Sequence, residues 1–437
     1  MIRLKLVLAS LLVVLLLLLS LLAWVWLQPE EEVVREEEIS GSSAYPGMSI
    51  RTSTETDERY RVSIQAPVFR EESINDRIRT YINDAQETFH EKRKNQDLRL
   101  LLERPATFSV SFDIHPIAEN VHSIVLNVDS FTGKRDPVKK RAFMMDLKSG
   151  EMVQPADLFK EKGWEELRRM DISGVMKEEE FFKKVYMTNE ELVFLEDGGK
   201  EVTVSYREVS GLLKEKWRSA VSVEGTEKRE EENDRSTEDH PVAVKKESDE
   251  NHVALTFDDG PHPKHTPEIL DLLDEYDQTA TFFLLGSRVD FYPQLTEKIL
   301  EQGHEIGNHT WTHRDLRTLT PEEIEEELSR TQEAIEAASG YTPRVYRPPY
   351  GAENQKVKNA AALPSILWTL DTEDWKSTDT PAIRKHIEGN VEKGSVILMH
   401  DVQGISPEVL KEVLEVLEEK ELKSVEISRM YTHPGNN

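Results

Sequence analysis

The stretch that decides the fold is Val253-Ala-Leu-Thr-Phe-Asp-Asp-Gly-Pro261, a short apolar run that leads into two adjacent carboxylates and a Gly-Pro break. Val253, Leu255 and Phe257 alternate with other residues, which predicts a buried strand, and the Gly-Pro pair prevents that strand from continuing. Neighbouring side chains on an extended segment point to opposite sides, so the two carboxylates can take two different roles. Asp-Asp-Gly-Pro also suits a simple turn, and the rest of the chain decides between the two.

After this stretch, predicted strands and helices alternate. Helix starts are marked by Ser or Thr followed by Pro, as at Thr320-Pro321, with Glu322 and Glu323 in the first turn. About seven βα units in this length predict an α/β fold, a small distorted (β/α) barrel over residues 251–437, with its chemistry at the C-terminal ends of the strands. The predicted strands are Val253–Phe257, Thr279–Leu285, Glu305–Asn308, Val345–Arg347, Ser365–Leu370, Ser395–Met399 and Leu422–Ile427. The predicted helices are Pro267–Tyr276, Pro293–Gln302, Pro321–Ala338, Asn354–Ala361, Thr380–Glu392 and Pro407–Glu419.

The amino-terminal segment predicts a membrane anchor. Leu6 to Leu27 is almost wholly apolar and long enough to cross a bilayer as a helix. Arg3 and Lys5 precede it and acidic residues follow it, which places residues 1–5 in the cytoplasm and the rest outside. We therefore expect a single-pass cell-membrane protein with an extracytoplasmic catalytic domain. A cleaved signal peptide is the alternative.

Between the anchor and the barrel we expect a tether at residues 28–43, an α+β domain at 44–213 and a charged linker at 214–250. Tyr60, Val62 and Ile64 alternate, which predicts a strand ended by Pro67. Apolar residues from Ile74 to Phe89 recur at helical spacing. Hairpins are predicted over residues 143–153 and 192–206. The linker is nearly all charged or hydroxyl residues, which cannot form a core.

Composition limits the function classes. The 437 residues carry a net charge of −28, which argues against nucleic-acid binding. The sequence has no cysteine, so it can form no disulfide, offers no thiolate chemistry and cannot be a lipoprotein.

Two histidines predict a metal site. His309 and His313 follow a predicted strand, and a spacing of four places both imidazoles on one face of a helical turn. No Glu follows His309, so the zincin pattern does not fit. An aspartate from the Asp258-Asp259 pair can supply a third ligand, and such a set leaves positions open for water and substrate.

Three later motifs complete the candidate site. Arg347-Pro-Pro-Tyr-Gly351 predicts a rigid loop that holds Arg347 near a carboxylate and directs the amide of Tyr350 toward an oxyanion. Asp371-Thr-Glu-Asp-Trp375 combines acids with an aromatic residue, which suits an imidazole-orienting carboxylate beside an apolar wall. Leu398-Met-His-Asp401 ends a strand with His400, a general acid if Asp374 keeps it protonated.

These five motifs, in this order from about His252 onward, resemble carbohydrate esterase family 4, the polysaccharide deacetylases with a NodB homology domain. The resemblance implies Asp258 as catalytic base and His400 as catalytic acid, with Arg347 pairing with the base and Asp374 tuning the acid. It also implies further roles, which are metal ligation by Asp259, His309 and His313, an oxyanion site at the Tyr350 amide, and an acetyl pocket lined by Trp375 and Leu398. His262 and His265 have no role in the family, and we expect them at the surface.

The resemblance further implies one divalent metal ion, zinc or alternatively cobalt, nickel or manganese, and N-deacetylation of a cell-wall glycan such as peptidoglycan. The 44–213 domain is similar to the extracytoplasmic domain of PdaC-like peptidoglycan deacetylases and of the RsiV anti-sigma factor, which implies a contact with lysozyme. Three alternatives stay open. They are a deacetylase of chitin oligomers or O-acetyl xylan, an iron oxygenase with the same ligand types, and a binding protein that senses lysozyme or wall fragments.

Overall fold

The computed structural model describes residues 33–39, 43–57, 59–170, 184–196, 199–219, 244–246 and 251–432. The predicted anchor, Leu6–Leu27, lies outside these residues. Across the described part of the chain, we find no helix with the length and apolar character needed to span a bilayer. The described residues form an amino-terminal α+β domain and a carboxy-terminal α/β domain.

The amino-terminal domain is built on a seven-stranded sheet in the order β1 to β7, in which neighbouring strands are antiparallel except for the parallel pair β3–β4. The strands are β1 (Val33–Ile39), β2 (Met48–Asp57), β3 (Tyr60–Phe69), β4 (Ala106–Ala118), β5 (Val121–Phe131), β6 (Lys139–Asp146) and β7 (Glu151–Val153). Helices α1 (Glu72–Lys94) and α2 (Leu98–Glu103) join β3 to β4. Ile74, Ile78, Ile82 and Phe89 of α1 are buried in the same cluster as alternate residues of the sheet, so the predicted helical face is confirmed.

Two expectations for this domain are wrong. Val33–Ile39 lies in the predicted tether but forms strand β1, whose backbone pairs with β2 from Val33↔Thr56 to Ile39↔Ile50. Pro67 does not end β3, which continues to Phe69. The proline is tolerated because β3 pairs with β4 only from Tyr60 to Ile64, so beyond that point β3 has a neighbour on one side only.

A smaller sheet in the order β10-β9-β8 completes the domain and contains the second predicted hairpin. Its elements are α3 (Gly163–Arg169), β8 (Val185–Met187), β9 (Glu191–Leu195), β10 (Glu201–Ser205), α4 (Tyr206–Val209) and α5 (Glu215–Arg218). The predicted boundary at residue 213 is too early. Trp217 in α5 is buried in this domain's core, and its indole Nε1 donates to the carbonyl of Asp157 at 3.0 Å.

The second domain contains a parallel sheet in the order β14-β13-β12-β16-β15. Its strands are β11 (Val244–Lys245), β12 (His252–Asp258), β13 (Ala280–Leu284), β14 (Glu305–Asn308), β15 (Leu370–Asp371), β16 (Val396–His400), β17 (Lys423–Ser424) and β18 (Tyr431–Thr432). Backbone bridges join Asn308 to Tyr346 and Tyr346 to Ser365, and the segment that begins at Ser365 returns to the sheet where Leu370 pairs with Ile397. The sheet therefore closes into the predicted small distorted barrel.

Helices cover the barrel. They are α6 (His265–Glu275), α7 (Gly286–Phe291), α8 (Pro293–Glu301), α9 (Pro321–Ser339), α10 (Gln355–Ala360), α11 (Thr380–Asn390), α12 (Ser406–Glu419) and α13 (Ile427–Met430). The start of α9 at Thr320-Pro321 is confirmed, because Thr320 and Glu323 form a reciprocal capping box there. Helices α7 and α13 are absent from the sequence prediction. Each is too short for an apolar period to show.

Some predicted strands are shorter than expected. Val345–Arg347 makes only isolated bridges through Tyr346, and of Leu422–Ile427 only Lys423–Ser424 pairs, with β12. The domain also begins earlier than residue 251, because β11 pairs with β18 at Val244↔Thr432.

His262 and His265 are buried, which corrects the expectation that they lie at the surface. Their rings stack with centroids 4.2 Å apart, and Nδ1 of His262 accepts the backbone N–H of His265 at 3.0 Å. Both residues therefore belong to the turn that carries the chain from β12 into α6.

The two domains share an interface. Met48, Ile50 and Phe69 of the first domain belong to the same buried cluster as Phe291 and Tyr292 of the second. Ion pairs join the domains between Arg314 and Asp129, Arg330 and Asp113, and Arg135 and Glu323. The amino-terminal sheet is thus held against the barrel by an apolar contact and by charge pairs.

Gly307 provides a test of how strand packing supports the barrel. It pairs directly with Phe283 on β13, and a Cβ at this position would lie 2.4 Å from two ring carbons of Phe283. We expect Gly307→Ala to lower the free energy of unfolding in urea by roughly 1–3 kcal/mol, as overpacking typically does.

The matched control is Gly389→Ala, a position on α11 at which an added Cβ meets no atom within 4 Å. It should leave the free energy of unfolding unchanged or raise it, because alanine favours helix more than glycine does. Equal unfolding midpoints for the two variants would contradict this account of the β13–β14 packing.

Candidate active site

The two carboxylates lie where predicted, at the carboxyl end of β12. Asp258 is the last residue of the strand and is 4% exposed, while Asp259 follows it with a left-handed φ of 75°. Because the backbone turns at Asp259, the two neighbouring side chains reach different parts of the site. The backbone at the end of the strand therefore sets the separate positions of the two carboxylates.

The two histidines lie on a loop and not on the helical turn expected from their spacing. The loop follows β14, and Thr310 and His313 have left-handed φ values of 70° and 60°. Oδ1 of Asn308 accepts the N–H of Thr310 at 2.9 Å, and the Glu327 carboxylate accepts the N–H of Trp311 at the same distance. These contacts hold the loop so that both imidazoles point toward Asp259.

Asp259, His309 and His313 form a candidate metal centre. Nε2 of His309 and Nε2 of His313 lie 3.3 and 3.2 Å from Oδ1 of Asp259, and one ligand atom from each residue lies within 4.8 Å of the others. Oδ1 of Asp259 is buried, yet it has no hydrogen-bond partner among the described residues. A buried oxygen faced by two imidazole nitrogens without a hydrogen bond fits a cation between them.

The two histidines differ in how readily they take up a proton. Nδ1 of His309 lies 2.8 Å from the carbonyl oxygen of Arg347. The ring therefore donates there from Nδ1 and directs Nε2 at Asp259. Burial opposes a charge on this ring, but the Asp258 and Asp259 carboxylates outweigh it and raise the pKa of His309, so a cation bound at Nε2 would replace a proton there. Burial lowers the pKa of His313 to about 4, so its imidazole is neutral at physiological pH. Neutral imidazoles and an ionised carboxylate are the forms that ligate metal.

Arg347 pairs with Asp258, as predicted. The guanidinium is fully buried and donates from Nη1 to Oδ1 of Asp258 at 2.7 Å and to Oγ1 of Thr256 at 2.9 Å. Its Nε donates to the carbonyl of Ile366 at 3.0 Å, and its plane lies over the Phe283 ring. A fixed cation thus holds one oxygen of Asp258 and leaves Oδ2 facing His309 at 3.8 Å.

His400 and Asp374 form the second predicted pair. Nδ1 of His400 donates to Oδ1 of Asp374 at 2.8 Å, and the backbone N–H of His400 donates to Oδ2 at the same distance. Burial opposes a charge on His400, but the Asp374 carboxylate outweighs it and raises the pKa of the imidazole to about 10. Asp374 is itself fully buried, and His400 reaches the cavity, so this pair can deliver a proton to a bound ligand.

A cavity of about 190 Å³ brings the predicted residues together. Tyr350, Trp375 and Leu398 line it, as the sequence predicts. Its lining residues include Asp258, Asp259, His309, His313 and His400. Tyr350 has a left-handed φ of 62°, and its ring meets that of His313 edge to face, with centroids 4.6 Å apart.

Sequence reasoning missed several residues of the site. Trp368 lines the cavity, and its place in the predicted strand Ser365–Leu370 could have indicated it. Glu327 supports the histidine loop, and its signal is an acidic residue within the apolar stripe of α9. Thr54, Thr56 and Arg61 also line the cavity, but they come from the other domain, and no local pattern connects them to it.

The similarity of this chain to known proteins agrees with this geometry. A family profile described as polysaccharide deacetylase matches residues 245–364. Over 421 residues, covering 89% of this chain and 89% of the relative, the chain is 26% identical to the peptidoglycan-N-acetylmuramic acid deacetylase PdaC of Bacillus subtilis.

Two other relatives match mainly the second domain. A peptidoglycan-N-acetylglucosamine deacetylase of Bacillus cereus is 38% identical over 186 residues, covering 41% of this chain and 68% of that protein. A chitooligosaccharide deacetylase of Sinorhizobium fredii is 39% identical over 162 residues, covering 36% of this chain and 74% of that protein. The resemblance inferred from the five motifs is thereby confirmed, and the chain belongs to the polysaccharide deacetylase family.

Proposed function

We propose that this protein is a metal-dependent N-deacetylase that removes acetyl groups from the amino sugars of peptidoglycan. The observation that carries the proposal is one cavity lined by Asp258, by the Asp259–His309–His313 cluster and by His400, whose imidazole is held from behind by Asp374. Two relatives that act on peptidoglycan amino sugars support the choice of substrate.

The chain's own residues account for the proton transfers of amide hydrolysis. Asp258, held by Arg347, accepts the proton of the attacking water. The backbone N–H of Tyr350 donates to the oxyanion that develops on the acetyl group. His400 then donates a proton to the departing sugar nitrogen, so the C–N bond breaks to give a free amine and acetate. Trp375 and Leu398 form the apolar wall for the acetyl methyl group.

Asp259, His309 and His313 would hold one divalent ion, for which we propose zinc, with cobalt, nickel or manganese as alternatives. Such an ion, when bound, polarises the acetyl carbonyl and makes water more acidic. The two imidazoles and one carboxylate match the donor types that zinc prefers.

The direct test of function is mass spectrometry of muropeptides after peptidoglycan is incubated with the purified chain and defined divalent ions. We expect glycan fragments to lose the mass of one or more acetyl groups and free acetate to accumulate without added oxygen. Asp258→Asn should abolish both changes, because it removes the proton acceptor. Peptidoglycan that keeps all its acetyl groups with every ion tested would refute the proposed function.

Metal removal provides a second prediction. Dialysis against a chelator should abolish acetate release, and one divalent ion per chain should restore it. His313→Ala should weaken zinc binding, measured by titration of the apoprotein. The loss of affinity should exceed the roughly 10–100-fold loss that is typical when a residue hydrogen-bonded to a metal ligand is mutated.

The matched control for His313→Ala is His386→Ala, at an exposed position on α11. This variant should bind zinc like the unmodified chain. Equal zinc affinity for all three proteins would show that the cluster is not the metal centre.

The third prediction concerns pH. His400 must be protonated to act as an acid, so activity should fall as the pH rises through its raised pKa. Asp374→Asn removes the charge that raises this pKa, and the alkaline limb of the kcat profile should move to lower pH by roughly 1–3 units. Asp277→Asn, at a fully solvated position, should leave the limb in place. An unshifted limb in Asp374→Asn would exclude His400 as the proton donor.

A chitin-oligosaccharide deacetylase is the second candidate, because two relatives are named chitooligosaccharide deacetylases. Acetate release from N-acetylglucosamine oligomers, from O-acetyl xylan and from peptidoglycan, compared at equal acetyl concentration, separates these substrates. Faster release from chitin oligomers than from peptidoglycan would favour the second candidate.

We also propose that residues 6–27 anchor the chain in the cell membrane with both domains outside, as the charges flanking this apolar stretch support. A lysozyme contact by the 44–213 domain is a further proposal, which rests on the resemblance to the RsiV-type domain. Membrane fractionation of cells and a binding measurement between lysozyme and the purified chain would test them separately.

A further inference from the structure

One face of the β2–β3 pair is turned toward the second domain. Residues directly opposite each other on antiparallel strands share a face. At one end of the pair, Met48 lies opposite Phe69, and both are buried with Phe291 and Tyr292 of the barrel domain. The side chains farther along this face of β2 and β3 therefore also point toward the second domain.

The other half of the same face is polar. Its three cross-strand pairs, which we name the polar ladder, are Thr52↔Gln65, Thr54↔Ser63 and Thr56↔Arg61. The six side chains are hydroxyls, one amide and one guanidinium, with no carboxylate, although the chain as a whole carries a net charge of −28. A surface of this kind offers hydrogen-bond donors and acceptors without repelling or attracting a neutral ligand strongly.

The polar ladder lines two cavities that meet at the candidate metal centre. Thr52, Thr54, Ser63 and Gln65 line a cavity of about 430 Å³, and Thr54, Thr56 and Arg61 line the catalytic cavity of about 190 Å³. Asp259 and His313 line both. The larger cavity lies within the roughly 300–1,000 Å³ range of ligand sites. A ligand chain that leaves the catalytic cavity can therefore continue along the polar ladder.

Contacts across the interface fix the ladder relative to the site. The Arg61 guanidinium lies 4.4 Å above the centroid of the Tyr350 ring, and Nη1 of Arg61 is 3.8 Å from a carboxylate oxygen of Asp315. Ser287 Oγ donates to Oε1 of Gln65 at 3.2 Å. The Arg61–Tyr350 contact reaches the loop beside the candidate metal centre, and the Ser287–Gln65 hydrogen bond reaches the start of α7. The ladder is thus held in position before a ligand arrives.

We propose that the polar ladder is the second wall of the substrate cleft and binds the sugars that flank the one being deacetylated. The ligand class is an extended glycan, whose hydroxyl groups match the hydroxyls and amide of the ladder. The amino-terminal domain is then a substrate-binding part of the enzyme and selects for chain length. This inference takes its ligand class from the proposed function.

The test compares peptidoglycan glycan fragments of two and of six sugars. Thr52 lines the larger cavity and not the catalytic one, so Thr52→Trp should obstruct the outer sugars alone. We expect the KM for the six-sugar fragment to rise roughly tenfold or more with kcat unchanged, and the kinetics of the two-sugar fragment to stay within about twofold.

The matched control is Thr88→Trp, at an exposed position on α1. It should leave the kinetics of both fragments unchanged. Thr52→Val replaces only the hydroxyl by a methyl group and should raise the KM for the six-sugar fragment about threefold. This variant keeps the test valid if Thr52→Trp impairs folding. Equal effects of Thr52→Trp on both fragments, or no effect of either Thr52 variant, would overturn the inference.

Calorimetric binding of the six-sugar fragment to the Asp258→Asn chain separates this inference from the proposed function. If the unmodified chain released no acetate from any substrate while binding to the Asp258→Asn chain weakened with Thr52→Trp, the function would be refuted and the ladder supported. Acetate release by the unmodified chain, together with binding that Thr52→Trp does not change, would support the function and refute the ladder. No measurable binding would refute the ladder as a glycan site.

Discussion

The buried guanidinium of Arg347 is the contact on which the rest of the site depends. Its side chain holds Asp258 and Thr256 of β12 and the carbonyl of Ile366, while its own carbonyl accepts the proton of His309. One residue thereby links Asp258 at the end of β12 and His309 on the histidine loop to the segment that closes the barrel. A buried cation is costly unless its partners satisfy it, so these hydrogen bonds must form together. The two prolines that follow Arg347 restrict the backbone directly after it.

The position of the site could be predicted because it lies at the ends of strands with clear apolar patterns. The sequence predicts strands at residues 253–257, 305–308 and 395–399. In the structure, Asp258, His309 and His400 lie at or just beyond the ends of these strands. The shape of the histidine loop could not be predicted. A spacing of four suggests a helix, but the left-handed backbone of Thr310 and His313 depends on contacts with Asn308 and Glu327 that no local pattern reveals.

Other errors have the same origin in long-range contacts. Strand β1 forms from a charged segment because it pairs along the edge of β2, and pairing with a distant strand leaves no trace in composition. His262 and His265 are buried because they stack on each other in a turn, although isolated histidines usually lie nearer the surface. On β3, Arg61 and Ser63 alternate with the apolar residues of the predicted strand and so resemble the solvent side of a sheet, while β2 is absent from the sequence prediction. The role of the ladder residues depends on a second domain almost two hundred residues later in the chain.

The pairing of β11 with β18 places the two ends of the barrel domain side by side. Nζ of Lys245 donates to the carbonyl of Gly394 at 2.8 Å. The N–H of Gly394 donates to the carbonyl of His252, which is the first residue of β12. Asp258 lies at the other end of that strand, roughly 20 Å away at the usual rise per residue. The start and finish of this domain therefore meet at the floor of the barrel, away from its mouth. Circular permutation that joins these two neighbours would keep the topology of the cleft, and a partner protein fused there would leave its opening unobstructed.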